Sequence, residues 1–564
     1  MKKYSAILLV IGLSLTGCKD FLDKNPDMRA TIDSKEKVQL LLVSAYSTAN
    51  YGMICELSSD NMIDNNTPDE RGLIHNEESF DRADEECFSW EPIVSSQSQD
   101  SPYALWNDHY LAIAAANNAL VAIDELESKG ENMDAEKAEA LLCRAYHHFA
   151  LALVFCKAYR NDELSQQDLG LFYMDHPETV VKANYNRGTL TQLYDNIQAD
   201  LEQALPLVSD KYYSVPKYHF NEKAAYAFAA RFYLYRRKWD KVLQYANRVL
   251  GEDPATTATL LVDADYILNT SSDIESELNY WIDASQNSNL LILPVMSYGT
   301  LRFASYLRYG WNRDVRSCMV SNGGPCWSKE FPGFHIWQVK NGTFGSLISK
   351  CYSKWNITDK VAGIGYMYNF RREFTTNETL LCRAEAKVFL NDLEGATSDL
   401  NLWAQSYDGG RGEMTVLTSA KIRNYFYDGR NTNVCPILHS TDMSPDFIVS
   451  ADQLPFIRCI LHFRRIETVH DGLRWFDLKR YGIEIKHYLG NETSTPIEKF
   501  LKWDDDRRAI QLPQEVIVSN SGIDPNPRVN VGDHAAVPYL APMQRSTAEI
   551  VVAKSANAIT RADK

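Results

Sequence analysis

Two segments far apart in the chain carry the same helix-hairpin plan, and a repeated hairpin restricts the fold more than any other feature of these 564 residues. Residues 222–236 form one helix-like run, Arg237-Lys238-Trp239 a turn, and residues 240–250 a second run closed by Gly251. Residues 378–390 and 393–403 follow the same plan, with Asn391-Asp392 as the turn. When Trp239 is set against Leu393, Ala230 aligns with Ala384, Val242 with Ala396, Ala246 with Leu400 and Asn247 with Asn401. Small residues in the first helix and an apolar seam in the second are what stacked hairpins need in order to approach closely.

These hairpins resemble tetratricopeptide repeats, in a degenerate form. Residues 101–160 supply a further pair, with Trp106, Leu111, Ile113, Leu120 and Ile123 at helical spacing before a turn near Gly130, and Leu141, Ala145, Phe149 and Leu153 after it. A helix over 189–205 stops at Pro206. The expected fold class is mainly α, with helical units at 101–160, 189–250 and 378–403. Two long irregular regions, 55–100 and 269–368, interrupt the plan with Asn, Ser, Gly, Tyr and Trp and only short β-like runs. Irregular stretches of that length are usually functional or disordered, and their aromatic content argues against disorder.

The amino terminus reads as a secretory signal. Lys2 and Lys3 precede a short apolar run from Ala6 to Leu15, too short to span a bilayer. Leu15-Thr16-Gly17-Cys18 resembles a bacterial lipobox, so residues 1–17 are expected to be removed and Cys18 to be lipidated. The remaining cysteines show no regular spacing and no Cys-x-x-Cys. Cys143, Cys156 and Cys382 fit a core, and Cys318 and Cys326, on either side of a Gly-Gly-Pro turn, could bridge. A formal charge of −16 disfavours a nucleic-acid partner, because phosphate binding needs a concentrated basic surface.

No sequence-local catalytic device is present: there is no Gly-x-Ser-x-Gly elbow, phosphate loop, His-Glu-x-x-His or Gly-x-Gly-x-x-Gly. No cofactor or metal site is expected. Asp504-Asp505-Asp506 reads as a solvated turn, and His147-His148 as one packed and one exposed imidazole, since adjacent helical residues face different sides. The stretch from Phe463 to Gly482 alternates charge with aromatics. Glu467 and Asp471 are four apart, with Arg464, Arg465 and Arg474 close by. Arginines so near would depress carboxylate pKa values, which suits a salt-bridge network better than a general acid.

Residues 464–482 are also similar to a signature of the SusD/RagB family of surface glycan-binding lipoproteins, "RRxE…EGxRxxDLxRxG". Three more segments resemble that family in the expected order: Cys18-Lys19-Asp20-Phe21-Leu22-Asp23, Leu380-Leu381-Cys382-Arg383-Ala384-Glu385-Ala386 with Asp399-Leu400-Asn401, and Leu512-Pro513-Gln514-Glu515 with Asn526-Pro527. The motif region extends over about 458–530. Asp471 where the family prefers Glu, Leu512 where it prefers Ile, and a long tail are mild departures. The resemblance implies one SusD-like domain over 18–564, a helix-pair scaffold with loops on one side, and a lipid-anchored place on the Gram-negative cell surface. It also implies a SusC-like TonB-dependent transporter as partner, captured oligosaccharide or polysaccharide as ligand, and no catalytic activity.

The residues fit a sugar on separate grounds. A sugar is neutral, with hydroxyls at its rim and apolar C–H faces, so its site needs flat rings beside Asn, Asp, Gln or Arg. The first irregular region offers Asp60, Asn61, Trp90 and Glu91. The second offers Trp281, Tyr298, Tyr306, Tyr309, Trp311, Asn312, Trp327, Trp337 and Trp355. Of these, Asp60, Asn61, Trp90, Tyr298, Trp311, Asn312, Trp327 and Trp337 are the expected glycan contacts. Trp106, Trp239, Trp403 and Trp475 lie on helix seams and are assigned to packing. Two rival readings remain: a surface glycoside hydrolase, whose paired carboxylates would meet only in space, and a helical-repeat adaptor binding a peptide or glycoprotein in its groove.

Overall fold

The computed structural model describes residues 32–528, apart from 69–80, 97, 180–184, 304–306, 312–314, 317–318, 320–323, 328–330, 339–345, 428–433, 491–495 and 520–522. Its longer elements in chain order are α1 (Lys35–Leu42), α2 (Gly52–Ser58), β1 (Ile63–Asp64), α3 (Arg82–Phe88), α4 (Pro102–Ser128), α5 (Asp134–Phe155), α6 (Leu190–Ala204), α7 (Glu222–Arg236), α8 (Trp239–Leu250), α9 (Ile274–Trp281) and β2 (Asn289–Met296). Then come α10 (Gly299–Phe303), β3 (Tyr309–Gly310), β4 (Ile336–Gln338), β5 (Ser346–Ile348), β6 (Lys354–Asp359), β7 (Ile364–Thr375), α11 (Thr376–Phe389), α12 (Leu393–Ser406), α13 (Leu454–Glu467), α14 (Leu473–Arg480), β8 (Ile485–Leu489) and β9 (Ile497–Leu501). The fold is mainly α.

Helices pack in succession. α4 lies on α5 and α5 on α6; α7 lies on α8, α8 on α11, and α11 on both α12 and α13. Three starts are capped as their sequence dictates. Ser101 Oγ accepts from Ala104 N with Pro102 in the first turn, Thr189 and Gln192 form a reciprocal capping box, and Asn221 Oδ1 accepts from Ala224 N.

The repeated hairpin closes by the same turn twice. Arg237 and Asn391, equivalent in the alignment, both hold a left-handed backbone with φ of 59° and 62°. In each, the next residue's N–H reaches back five residues, Lys238 to Tyr233 O and Asp392 to Lys387 O, as in a Schellman motif. Ala230, Ala384, Val242, Ala396, Ala246 and Leu400 are all fully buried, and Trp239 lies flat on Phe389 with centroids 4.1 Å apart. Asn247 Oδ1 accepts from the Arg383 guanidinium, joining one hairpin to the next.

Two expectations are corrected here. His147 and His148 are both buried, because α5 is enclosed on all sides. His147 Nε2 donates to Ala45 O, while His148 Nδ1 donates to Arg144 O and its Nε2 accepts from Met174 N. Burial pushes them down to about 4 and about 3, so both rings are neutral. Asp505 is also buried, held by Arg507, while Asp506 pairs with Lys157. Cys143, Cys156 and Cys382 are buried, and Cys326 carries a free thiol; its suggested partner Cys318 lies outside the described residues.

The irregular regions contain more structure than their composition suggests. β2, β7 and β6 form a three-stranded antiparallel sheet in that order, and α2 and α3 lie within the first region. After Gly482, β8 and β9 pair antiparallel.

The stretch from Arg464 to Gly482 is an ionic lattice inside the core. Arg464 is fully buried and reaches Asp477 at 3.0 Å and Glu378 at 3.1 Å. Arg480 pairs with Glu385 at 2.6 Å, and Arg231 joins Glu373 at 2.6 Å to Glu378. Glu467 and Asp471, read as partners of the nearby arginines, bind elsewhere. Glu467 accepts from Trp403 Nε1 and Tyr407 Oη, and Asp471 pairs with Lys350. Removing one member of such a lattice leaves a buried charge unpaired, which costs about 3–5 kcal/mol. Arg464→Ala is therefore expected to lose about that much stability, read as a lower midpoint in chemical denaturation, while Arg423→Ala at the exposed Asp452 pair changes it by under about 1 kcal/mol.

Candidate functional site

Most of the expected ring contacts belong to the core. Trp311 is fully buried, edge-on to His470 at 4.9 Å. Trp327 packs against Phe331, Trp403 and Phe463. Trp90 is buried, stacked on His487 at 4.5 Å, with its indole N–H donated to Ser58 O. None of the three keeps a face for a ligand. Trp337 is partly buried and donates Nε1–H to Glu277, which also holds His335. Trp281 and Tyr309 are buried too. Asn312 and Tyr306 lie outside the described residues.

Asp60 and Asn61 serve the scaffold. Both Asp60 carboxylate oxygens accept from Arg474, at 2.8 and 2.7 Å. Burial alone would raise its pKa, but Arg465 and Arg474 hold it well below the usual carboxylate range. Asn61 is fully buried between Glu56 Oε2 and Arg465 Nε. The carboxyl of Glu56, which also accepts from Gly472 N, is pushed up to about 7 by burial.

Tyr298 stands where the two irregular regions meet. Its N–H donates to Asp100 Oδ2 at 2.7 Å, at the edge of a small open pocket. The pocket is walled by Met53, Ile54 and Leu57 of α2, by Asp81, Asp84 and Cys87 at α3, by Ile93, Ser96, Ser98, Gln99, Asp100 and Ser101, and by Arg302 of α10. Local sequence fixes each wall. Asp81 Oδ1 caps α3 by accepting from Ala83 N, and Glu86 Oε2 accepts from Val94 N and Ser95 N, which folds the following loop back onto that helix. The loop ends at Asp100, with a left-handed φ of 69°, just before the Ser101 cap of α4.

The pocket sets three carboxylates, Asp81, Asp84 and Asp100, and one guanidinium, Arg302, against an apolar wall. Arg302 bridges Asp81 at 3.0 Å and Asp84. Burial raises Asp84 above its ordinary value and pushes Asp100 up to about 6, the latter against hydrogen bonds from Ser297 and Tyr298. Gln99 Nε2 and Asp100 Oδ1 are shielded from water and have no hydrogen-bond partner among the described residues. Such groups are costly unless something completes them. The sequence signal for this site was the polar run Ser95-Ser96-Gln97-Ser98-Gln99-Asp100 between Pro92 and Pro102, together with Arg302 in the aromatic-rich region. A second small cavity lies inside the ionic lattice, where Arg231 and Arg371 pair with Glu373 and Arg231 with Glu378, while Arg231 Nε and Arg372 Nη1 keep no partner among the described residues. Among the described residues, no group of three or more His, Cys, Asp or Glu could hold a metal ion, and no helix is long and apolar enough to cross a membrane.

This helix-pair fold is shared with solved structures of SusD superfamily proteins. Solved structures with this fold include a SusD superfamily protein from Bacteroides thetaiotaomicron, at TM-score 0.56 and 17% identity over 87% of this chain and 99% of that one. A putative sugar-binding protein from Bacteroides vulgatus reaches TM-score 0.60 at 16% identity, over 89% of this chain and 100% of that one. Residues 20–234 match the SusD-like family model described as "Starch-binding associating with outer membrane". SusD-like protein P2 of Formosa agariphila is 23% identical over 93% of this chain and 99% of its own length. The chain is thus similar to a SusD-like protein over nearly its whole length, and residues 20–234 carry the match to the family model itself.

Because Trp311 and Trp327 fill core volume, truncating either leaves a cavity worth about 3–5 kcal/mol. Trp311→Ala and Trp327→Ala are each expected to lower the thermal midpoint by several degrees in calorimetry. An unchanged midpoint would return these rings to the list of surface contacts.

Proposed function

We propose that this SusD-like chain is a non-catalytic, lipid-anchored surface protein that captures neutral oligosaccharides in the pocket around Gln99, Asp100 and Arg302. It then passes them to a TonB-dependent outer-membrane transporter. The observation that carries this reading is the pocket itself. It joins the two regions singled out for a sugar, and it presents a shielded amide N–H donor and a carboxylate oxygen that lack partners, beside an arginine already neutralised by Asp81 and Asp84. A neutral ligand rich in hydroxyls completes such groups at no cost in unpaired charge. The family description and the sugar-binding name of one structural relative agree with it. The anchor rests on Cys18 and the transporter on the family resemblance; Cys18 lies outside the described residues.

One observation favours a glycoside hydrolase: Asp100, held at about 6, has the character of a general acid and shares the pocket with Asp81 and Asp84. What supports binding without cleavage is that both other carboxylates are committed to Arg302, leaving none free to act as nucleophile or base. Incubation with the best-bound glycan is expected to release no new reducing ends.

Gln99→Ala and Asp100→Asn are each expected to weaken oligosaccharide binding about tenfold in calorimetric titration, with the thermal midpoint nearly unchanged. Wild-type affinity in both variants would remove the pocket from consideration. For the anchor, Cys18→Ala is expected to abolish incorporation of labelled fatty acid and to release the protein from the membrane fraction. Labelling that persists would place the lipid elsewhere.

A further inference from the structure

The outer part of the β6–β7 hairpin stands clear of the rest of the sheet. β2 ends at Met296 opposite Tyr368, so from Met367 outward β7 has only β6 beside it, with Trp355 opposite Met367, Asn356 opposite Tyr366 and Ile357 opposite Gly365. The tip is a built turn: Asp359 Oδ1 accepts from Val361 N at 2.8 Å and Ala362 N at 3.0 Å, and Gly363 takes a left-handed φ of 67°. Five large apolar residues are exposed on this short arm: Trp355 by 52%, Ile357 by 49%, Val361 by 99%, Ile364 by 53% and Tyr366 by 44%. Singly they would need no explanation; strand alternation sets Trp355 and Ile357 together on one face of the arm, with Ile364 and Tyr366 on the other, and the face bearing Trp355 marks a contact surface.

Three observations decide what that surface takes. First, Trp355 is laid across Gly365, so closely that a Cβ there would lie 2.8 Å from its Cε2 and 2.9 Å from its Cζ2. The indole is backed by the strand, and half of it stays open to solvent. Second, the arm carries no net charge. Asp359 and Lys360 oppose each other at the turn, and Lys354 is held by Glu275 at 3.0 Å, so no anion and no charged partner is selected. The free edge of β6 is also a poor template for a peptide strand, since a register irregularity falls between Ile357 and Asp359 and charged residues bracket it. Third, the arm grows from the pocket wall. Ser297 N donates to Met367 O at 3.2 Å, and the next residue, Tyr298, donates to Asp100.

We infer that the hairpin extends the pocket into a longer binding surface, on which a neutral polysaccharide held at Gln99 and Asp100 continues across the open face of Trp355. The inference rests on the glycan reading of the pocket. Six residues of β6 span roughly 20 Å, room for several sugar units. Short fragments fill the pocket alone, whereas long chains gain the ring contact as well.

The test compares wild type, Trp355→Ala, Trp355→Tyr and Gln99→Ala in titrations with amylopectin, laminarin and xylan, and with maltotriose, laminaritriose and xylotriose. For the polysaccharide that binds, Trp355→Ala is expected to weaken affinity about tenfold and to leave the matching trisaccharide unchanged. Trp355→Tyr is expected to restore most of the loss, which shows that the ring is needed and the fold is intact. Gln99→Ala is expected to weaken both ligands. Wild-type polysaccharide affinity in Trp355→Ala, with Gln99→Ala weakened, would overturn the extension and leave the pocket standing. Equal loss for trisaccharide and polysaccharide in Trp355→Ala would overturn it as well, as would loss of a co-purifying membrane protein with glycan affinity intact. Failure of the wild type to bind any of the six would overturn both the extension and the pocket.

Discussion

The structure depends on burying charge that is fully paired. Arg464 has no contact with water and is tenable only because Asp477 and Glu378 lie at 3.0 and 3.1 Å. Glu378 also takes Arg231, Arg231 takes Glu373, and Asp477 takes Arg480, which reaches Glu385. These residues come from α7, β7, α11, α13 and α14, so elements far apart in sequence must reach their final places together for any of the charges to be satisfied. Apolar packing tolerates small slips, but paired guanidinium and carboxylate groups at this depth do not. The lattice thus specifies which way the carboxyl-terminal helices dock on the repeats.

The same helices place the pocket. Arg474 and Arg465 reach out of the lattice to Asp60 and Asn61, immediately after α2, and Gly472 N donates to Glu56 within α2. Gly472 lies so close to Gly52 and Cys55 that a Cβ there would be 2.9 Å from atoms of both, and its φ of 80° also favours glycine. One wall of the pocket is α2. The stretch 464–482 therefore acts on the pocket at one remove, by fixing a helix that lines it.

This arrangement explains what could be read from the chain and what could not. The hairpins were legible because helical spacing is local, and the alignment of Trp239 with Leu393 extended even to the left-handed residues Arg237 and Asn391. The ionic character of 464–480 was legible because so many arginines near carboxylates exclude a free acid. Its pairings were not, since Arg464 finds Glu378, 86 positions away in sequence, in preference to Glu467 nearby. Rings in irregular, polar stretches looked like surface rings. Trp311 and Trp327 fold back instead onto His470, Trp403 and Phe463, contributed by the carboxyl-terminal helices and their neighbours, and nothing local encodes that return. Asp60 and Asn61 were picked for their chemistry, and that chemistry is spent on arginines.

What remains for a ligand is then set by subtraction. Once the lattice has used its acids and the core its rings, the unsatisfied groups at the junction of the two irregular regions are an amide and one carboxylate oxygen, beside an arginine whose charge is cancelled. The ring left half open on the β6–β7 arm is Trp355 of β6, whose partner strand β7 is bonded to the residue before Tyr298. A polar pocket without rings is suited to the hydroxyl rim of a sugar, and an exposed indole without nearby charge to its C–H face. On the proposed reading, the pocket's donor and acceptor sit in the α3–α4 loop, held by Glu86 and the Ser101 cap, and the less directional stacking contact sits on a projecting hairpin, where small differences in chain position cost little.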